Sequence, residues 1–239
     1  MSLVASVLDL KRPDQDFKAS ICLCKEHFEL EELPDFLHPI EVKNIEEKSN
    51  LRRKRSILLG KKCAKTAFGL IDSNKTHESD YYISKGVFEQ PIVHIPHENN
   101  LQVSISHSKG YGAALCFPEE HPMGIDIEAL DKLKERAIET QCTQEEVQKI
   151  SEVTKQSPYA VLWTVKEALS KCIRTGMYID FKYIEVSECE EKDGILILRF
   201  QHFGQYKAYV FFTEETCCAI VFPYKTEFDL LPFIQEIKF

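Results

Sequence analysis

The sequence predicts a mixed fold of helices and antiparallel strands, on three observations. Apolar residues recur at helical spacing between residues 45 and 70 and again between 157 and 173. Three strand-like runs, LQVSISHS, YGAALCF and MGIDIE, follow one another across short loops between residues 101 and 128, as in an antiparallel meander. Four more runs, YIEVSE, GILILRF, KAYVFFT and CCAIVF, fill the tail.

Taken in order, residues 3–38 mix short apolar runs with acids and with Pro13 and Pro34, which predicts strands and connections of no strong period. In the first helix Leu51, Leu58, Leu59, Cys63, Ala67 and Leu70 form the apolar stripe, and Gly69 stands near its stop. Between 72 and 100, turn formers (Asp72, Ser73, Asn74, then His97, Asn99, Asn100) flank FEQPIVHI, where Pro91 marks an extended segment. Polar sequence with helical content spans about 129–139 and 143–153, the second opened by Thr143 as an N-cap ahead of Glu145 and Glu146. In YAVLWTVKEALSKCI (159–173), Leu162, Val165, Leu169, Cys172 and Ile173 share one stripe; Trp163, Lys166, Glu167, Ser170 and Lys171 share the other. The His121-Pro122 break between strands predicts a boundary, dividing the chain into 1–122 and 123–239.

At 239 residues the chain is long enough for a substantial core, in one large domain or two smaller ones. No apolar stretch approaches bilayer length, and MSLVASVLDL is broken by Asp9 with no basic segment before it, so the reading is a cytoplasmic protein without a membrane span. The nine cysteines include Cys22 and Cys24 as C-x-C and the adjacent Cys217 and Cys218, but no C-x-x-C pair of zinc-site type; they predict reduced core thiols. A net charge of −8 argues against a general nucleic-acid binder. Yet residues 48–65, KSNLRRKRSILLGKKCAK, carry Lys48, Arg52, Arg53, Lys54, Arg55, Lys61, Lys62 and Lys65 and no acid. Such a run is either a solvated helix face or a site for an anion with several phosphates.

GIDIEAL (124–130) raises the sharpest question. Strand side chains alternate, so Asp126 and Glu128 share a face and repel. A solvated face offsets that repulsion; so does a divalent cation, because two hard oxygen ligands two residues apart suit Mg²⁺, which keeps several waters and takes few carboxylates. On the 159–173 helix, Glu167 and Lys171 are one turn apart, the spacing of a surface ion pair. Taken together, three acids, a nearby lysine and a basic helix are the inventory of a Mg²⁺-dependent enzyme acting on a phosphate ester or anhydride.

GIDIE (124–128), WTVKEALSK (163–171) and SISHS (104–108) stand in the order and spacing of the 4′-phosphopantetheinyl transferases, and the sequence resembles the one-chain type of that family over roughly residues 45–173. RRKRSILLGKKCA upstream looks more like the enterobactin-synthetase branch than the surfactin branch. The resemblance implies an α+β fold of two similar, pseudo-duplicated halves with the active site at their junction. It implies transfer of phosphopantetheine from coenzyme A to a serine of an apo acyl or peptidyl carrier protein, with release of 3′,5′-ADP. Asp126, Glu128 and Glu167 would then gather Mg²⁺, Lys171 would neutralise phosphoryl charge, and Glu167 would serve as base. Ser106, His107, Arg53 and Lys61 would hold coenzyme A. Two departures stand out: Glu89-Gln90-Pro91 replaces a G-K-P-like turn of the surfactin type, and Lys61 stands where the enterobactin type often has arginine, keeping the charge without the bidentate fork. Other readings of the same acids are a Mg²⁺-dependent nuclease or phosphohydrolase, and a non-catalytic coenzyme A or carrier-protein binding module. The nuclease reading lacks a lysine two residues after the second acid, since Ala129 and Leu130 follow Glu128.

Overall fold

A computed structural model describes residues 2–25, 33–130 and 138–238. The helical content expected at about 129–139 falls mostly on residues 131–137, outside the described residues. The fold mixes helices with antiparallel sheets, and the chain forms two compact units, Met1–His121 with Phe228–Phe239, and Pro122–Glu227.

The first unit opens on a hairpin, β1 (Ser2–Leu10) and β2 (Phe17–Lys25), paired in register along its whole length. The single helix expected over 45–70 is two helices, α1 (Pro39–Glu46) and α2 (Leu51–Ile71). The sequence between them breaks for a local reason: the Asn50 side chain accepts from the Arg53 N–H and caps α2. α1 is opened by Pro39 and by a capping box between His38 and Glu41. A small hairpin follows, β3 (Tyr82–Lys85) with β4 (Pro91–His94). Then β5 (Leu101–Ser108) and β6 (Tyr111–Pro118) complete a four-stranded sheet of order β1-β2-β6-β5. α2 lies across β2, β5 and β6, burying Leu58, Leu59, Cys63, Ala64, Ala67 and Phe68 against Cys22, Cys24, Ala114 and Cys116. Two glycines bring it close: a Cβ on Gly60 would stand 2.8 Å from Ile105 Cγ2, and one on Gly112 3.0 Å from Cys63 Sγ.

The second unit begins with β7 (Gly124–Ala129), which departs from the expected meander. It pairs not with β6 but with the last strand of a second sheet, after the break at His121-Pro122. Helices α3 (Gln144–Val153) and α4 (Pro158–Cys172) follow, with the caps Thr143 and Ser157 at their N-termini. Strands β8 (Val186–Lys192), β9 (Ile195–Phe200), β10 (Tyr206–Phe212) and β11 (Thr216–Pro223) then build an antiparallel sheet of order β7-β11-β10-β9-β8. α4 packs on β7 and β11, and its buried stripe (Val161, Leu162, Val165, Ala168, Leu169, Cys172) meets Cys217, Ala219 and Val221. The chain finally returns to the first unit, where α5 (Leu231–Glu236) packs on β1.

Each unit holds a buried lysine in the same kind of socket. In the first, Glu41 of α1 pairs with Lys65 of α2 at 2.8 Å and accepts the N–H groups of His38 and Ile83, while Lys65 donates to the carbonyls of Phe36, Glu78 and Tyr81. In the second, Glu146 of α3 pairs with Lys166 of α4 at 2.8 Å and accepts the N–H groups of Thr143 and Val186, while Lys166 donates to the carbonyls of Gln141 and Phe181. Both glutamates are the N3 residues of capping boxes. The helical period places Lys166 on a polar stripe, but it is fully buried because this socket satisfies its ammonium.

Candidate active site

Asp126 and Glu128 sit opposite Ala219 and Cys217 on β11, and those two residues belong to the face that α4 covers. The two acids therefore point toward the helix, and Asp126 is only 3% exposed. Gly124 begins the same face, and a Cβ there would collide with the Ala168 carbonyl and stand 2.7 Å from Cys172 N, so α4 touches the strand at this point. That close approach brings Lys171 over the strand, where its ammonium meets Asp126 Oδ1 at 2.7 Å. A solvated strand face does not describe Asp126: a buried carboxylate is compensated by a cation from the helix. Burial, with smaller contributions from Asp126 and Glu128, pushes the neighbouring Cys217 thiol up to about 12. Cys217 is an inert core thiol; all nine cysteines are free, and all but the half-buried Cys142 and Cys189 are buried.

Glu167, half-buried one turn before Lys171, lies on the same long helix. Among the described residues no group of three or more His, Cys, Asp or Glu side chains is gathered to hold a metal, so Asp126, Glu128 and Glu167 are not drawn into one cluster. The donor set nonetheless suits a hard divalent ion: two carboxylates on one strand face, a third on the helix above, and no thiolate or imidazole among them.

In the first unit the expected coenzyme A residues are separated by strand geometry. Ser106 and His107 are neighbours on β5, so they point to opposite faces: His107 lies over α2, its Cδ2 3.9 Å from the position of a Cβ on Gly60, while Ser106 is buried on the other side. Arg53 is exposed in the first turn of α2. Lys61 is already engaged, with Glu41 Oε1 at 2.7 Å and the Ile83 carbonyl at 2.8 Å. Lys62 pairs with Glu78 at 3.0 Å. The lower half of the basic run is thus held inside the first unit, and its exposed cations are those of the first turns. Sequence reasoning did not place Lys85, an exposed residue across from Pro91 in the β3–β4 hairpin that pairs with Glu89 at the surface. It missed Glu146, whose one signal is its place three residues after Thr143.

Residues 122–221, a stretch within the second unit, match the family model of the 4′-phosphopantetheinyl transferase superfamily. The chain is also 25% identical over 156 residues to a 4′-phosphopantetheinyl transferase of Aneurinibacillus migulanus, across 54% of this chain and 62% of that relative's length. Both comparisons support the 4′-phosphopantetheinyl transferase superfamily, and the stretch that matches the family model carries Asp126, Glu128, Glu167 and Lys171.

Proposed function

We propose that this protein transfers the 4′-phosphopantetheine group of coenzyme A to a serine hydroxyl of an apo acyl or peptidyl carrier protein, releasing 3′,5′-ADP. We place it with the one-chain enzymes, nearer the enterobactin-synthetase branch, with two pseudo-duplicated halves and a cytoplasmic setting suited to nine free thiols. One observation carries the reading: a buried carboxylate, Asp126, and its neighbour Glu128 face a helix that brings Lys171 onto Asp126 and carries Glu167 one turn earlier.

The attacked phosphorus lies in an anhydride whose negative oxygens repel a nucleophile, so catalysis consists mainly of offsetting charge and fixing geometry. Mg²⁺ held by Asp126, Glu128 and Glu167 would supply part of that positive charge when bound. Lys171 has three donors and spends one on Asp126, leaving others for phosphoryl oxygens. Glu167 takes the proton of the carrier serine, directly or through a water, as the serine oxygen bonds to phosphorus and the bridging oxygen leaves with 3′,5′-ADP. Arg53 and His107 bind coenzyme A phosphates; Ser106 and Lys61 join them, Lys61 by exchanging Glu41 for phosphate. Among the described residues no helix is long and apolar enough to cross a membrane.

The test is to incubate the protein with Mg²⁺, coenzyme A and several apo carrier proteins and weigh the products. A carrier heavier by one phosphopantetheine is expected, lost in EDTA and in Glu167→Gln protein that keeps its fold. Unchanged carriers throughout, or a folded Glu167→Gln variant of near wild-type turnover, overturn the reading.

A further inference from the structure

Lys166 and Glu146 lie next to the proposed catalytic face, yet neither reaches it. Both are 0% exposed, and every donor of the ammonium is used: Glu146, the Gln141 carbonyl at 2.9 Å and the Phe181 carbonyl at 3.1 Å. The carboxylate in turn accepts the Thr143 N–H at 2.8 Å and the Val186 N–H at 3.0 Å. One side chain of α4 is therefore tied to the cap of α3, to the turn after α4 and to the start of β8. A helix anchored at one side chain can no longer rotate freely about its axis. Successive residues are about 100° apart around that axis, so fixing Lys166 fixes the direction of Glu167, and through the next turn that of Lys171. At that rotation Asp126 meets Lys171 at 2.7 Å.

We propose that Glu146 and Lys166 form a positioning pair that sets the rotation of α4, so that Glu167 and Lys171 are aimed at Asp126 and Glu128. The proposal deepens the transferase reading and rests on it. A rotation of a few tens of degrees displaces a long side chain by ångströms, and proximity effects lose about a hundredfold in rate for a misplacement near 1 Å. The first unit supplies the comparison: Glu41 and Lys65 make the same kind of buried socket, but the residue after Lys65 is Thr66 and the residue one turn further is Leu70, so at those two positions that lock aims neither an acid nor a cation.

The experiment compares Glu146→Gln, Lys166→Met and Lys65→Met by three readouts: thermal unfolding, steady-state transfer, and labelling of Lys171 by acetic anhydride read by mass spectrometry. The labelling needs no turnover, so a wild type that transfers nothing refutes the transferase reading while the labelling still judges the pair. Expected for Glu146→Gln and Lys166→Met is a loss of about tenfold or more in kcat with KM for coenzyme A changed less than about threefold, and faster labelling of Lys171 as it leaves Asp126. Lys65→Met should lower the unfolding temperature comparably while leaving kcat at saturating coenzyme A and Lys171 labelling unchanged. Should Lys166→Met fail to fold, Glu146→Gln, which keeps a carbonyl acceptor of the same shape, carries the test. Equal losses of kcat in the two units, or unchanged Lys171 labelling in a folded Glu146→Gln protein, overturn the proposal.

Discussion

Gly124 shows how much of the site depends on a missing side chain. A Cβ there would collide with the Ala168 carbonyl, which is backbone and has no other rotamer to take. Gly124→Ala should therefore push α4 off β7 and destabilise the protein by about 1–3 kcal/mol, measured by urea unfolding. An unchanged midpoint would mean that α4 does not rest on the strand at this point. His121 makes a second prediction. Burial pulls its imidazole down from 6.5 to about 4, so between those values the unfolded chain binds a proton that the folded one refuses. Unfolding free energy should fall as pH drops from 6.5 toward 4 and then level, by up to about 3 kcal/mol, and His121→Gln should remove that slope. In the first-unit socket burial raises the Glu41 carboxyl but the charges and hydrogen bonds of Lys61 and Lys65 outweigh it and hold it below 4.5. Its contribution is present above that value and is lost only as pH falls further, so its window opens at the acid end of the His121 window.

The N-terminus of α2 carries Arg52, Arg53 and Lys54 in its first turns and no acid. A helix N-terminus is electropositive, so these cations oppose the fold rather than support it. Arg53→Glu should stabilise the protein by about 0.3–1 kcal/mol, seen as a higher unfolding temperature, while raising KM for coenzyme A. A higher temperature with unchanged KM would remove Arg53 from the coenzyme A site. Elements differed in how far the sequence disclosed them. α4 and the D-x-E strand were legible because their apolar residues repeat with a clear helical or two-residue period, even though polar side chains on the other side, Asp126 and Lys166 among them, are buried as well. β2 was not, since Ala19 to Cys24 are buried on both faces and the alternation disappears. The burial of Lys166 was hidden because its partner Glu146 lies on another helix, and helical spacing within one helix cannot report a socket built from three elements. Ser106 and His107 read as one motif, although alternation alone sends them to opposite faces.

At the scale of the whole chain, the notable feature is the return of residues 228–239 to the first unit, which no motif announces. Phe233 and Leu230 are buried there, next to the strand formed by the first residues of the chain. Ending the chain at Glu227 should strip hydrogen-exchange protection from β1 and leave β9, β10 and β11 protected. Equal loss in both sheets would show that the two units do not open separately.

The same return has a consequence for biogenesis. A ribosome releases residues 2–121 first, yet that part still lacks its closing helix when Glu227 emerges and the second unit already has every residue it needs. At about 5–20 residues per second, the earlier-made unit waits on the order of ten seconds, its buried strand residues dependent on a segment not yet synthesised. A pause in elongation after residue 227 would thus leave the older half without its closing helix and exposed to proteases and chaperones.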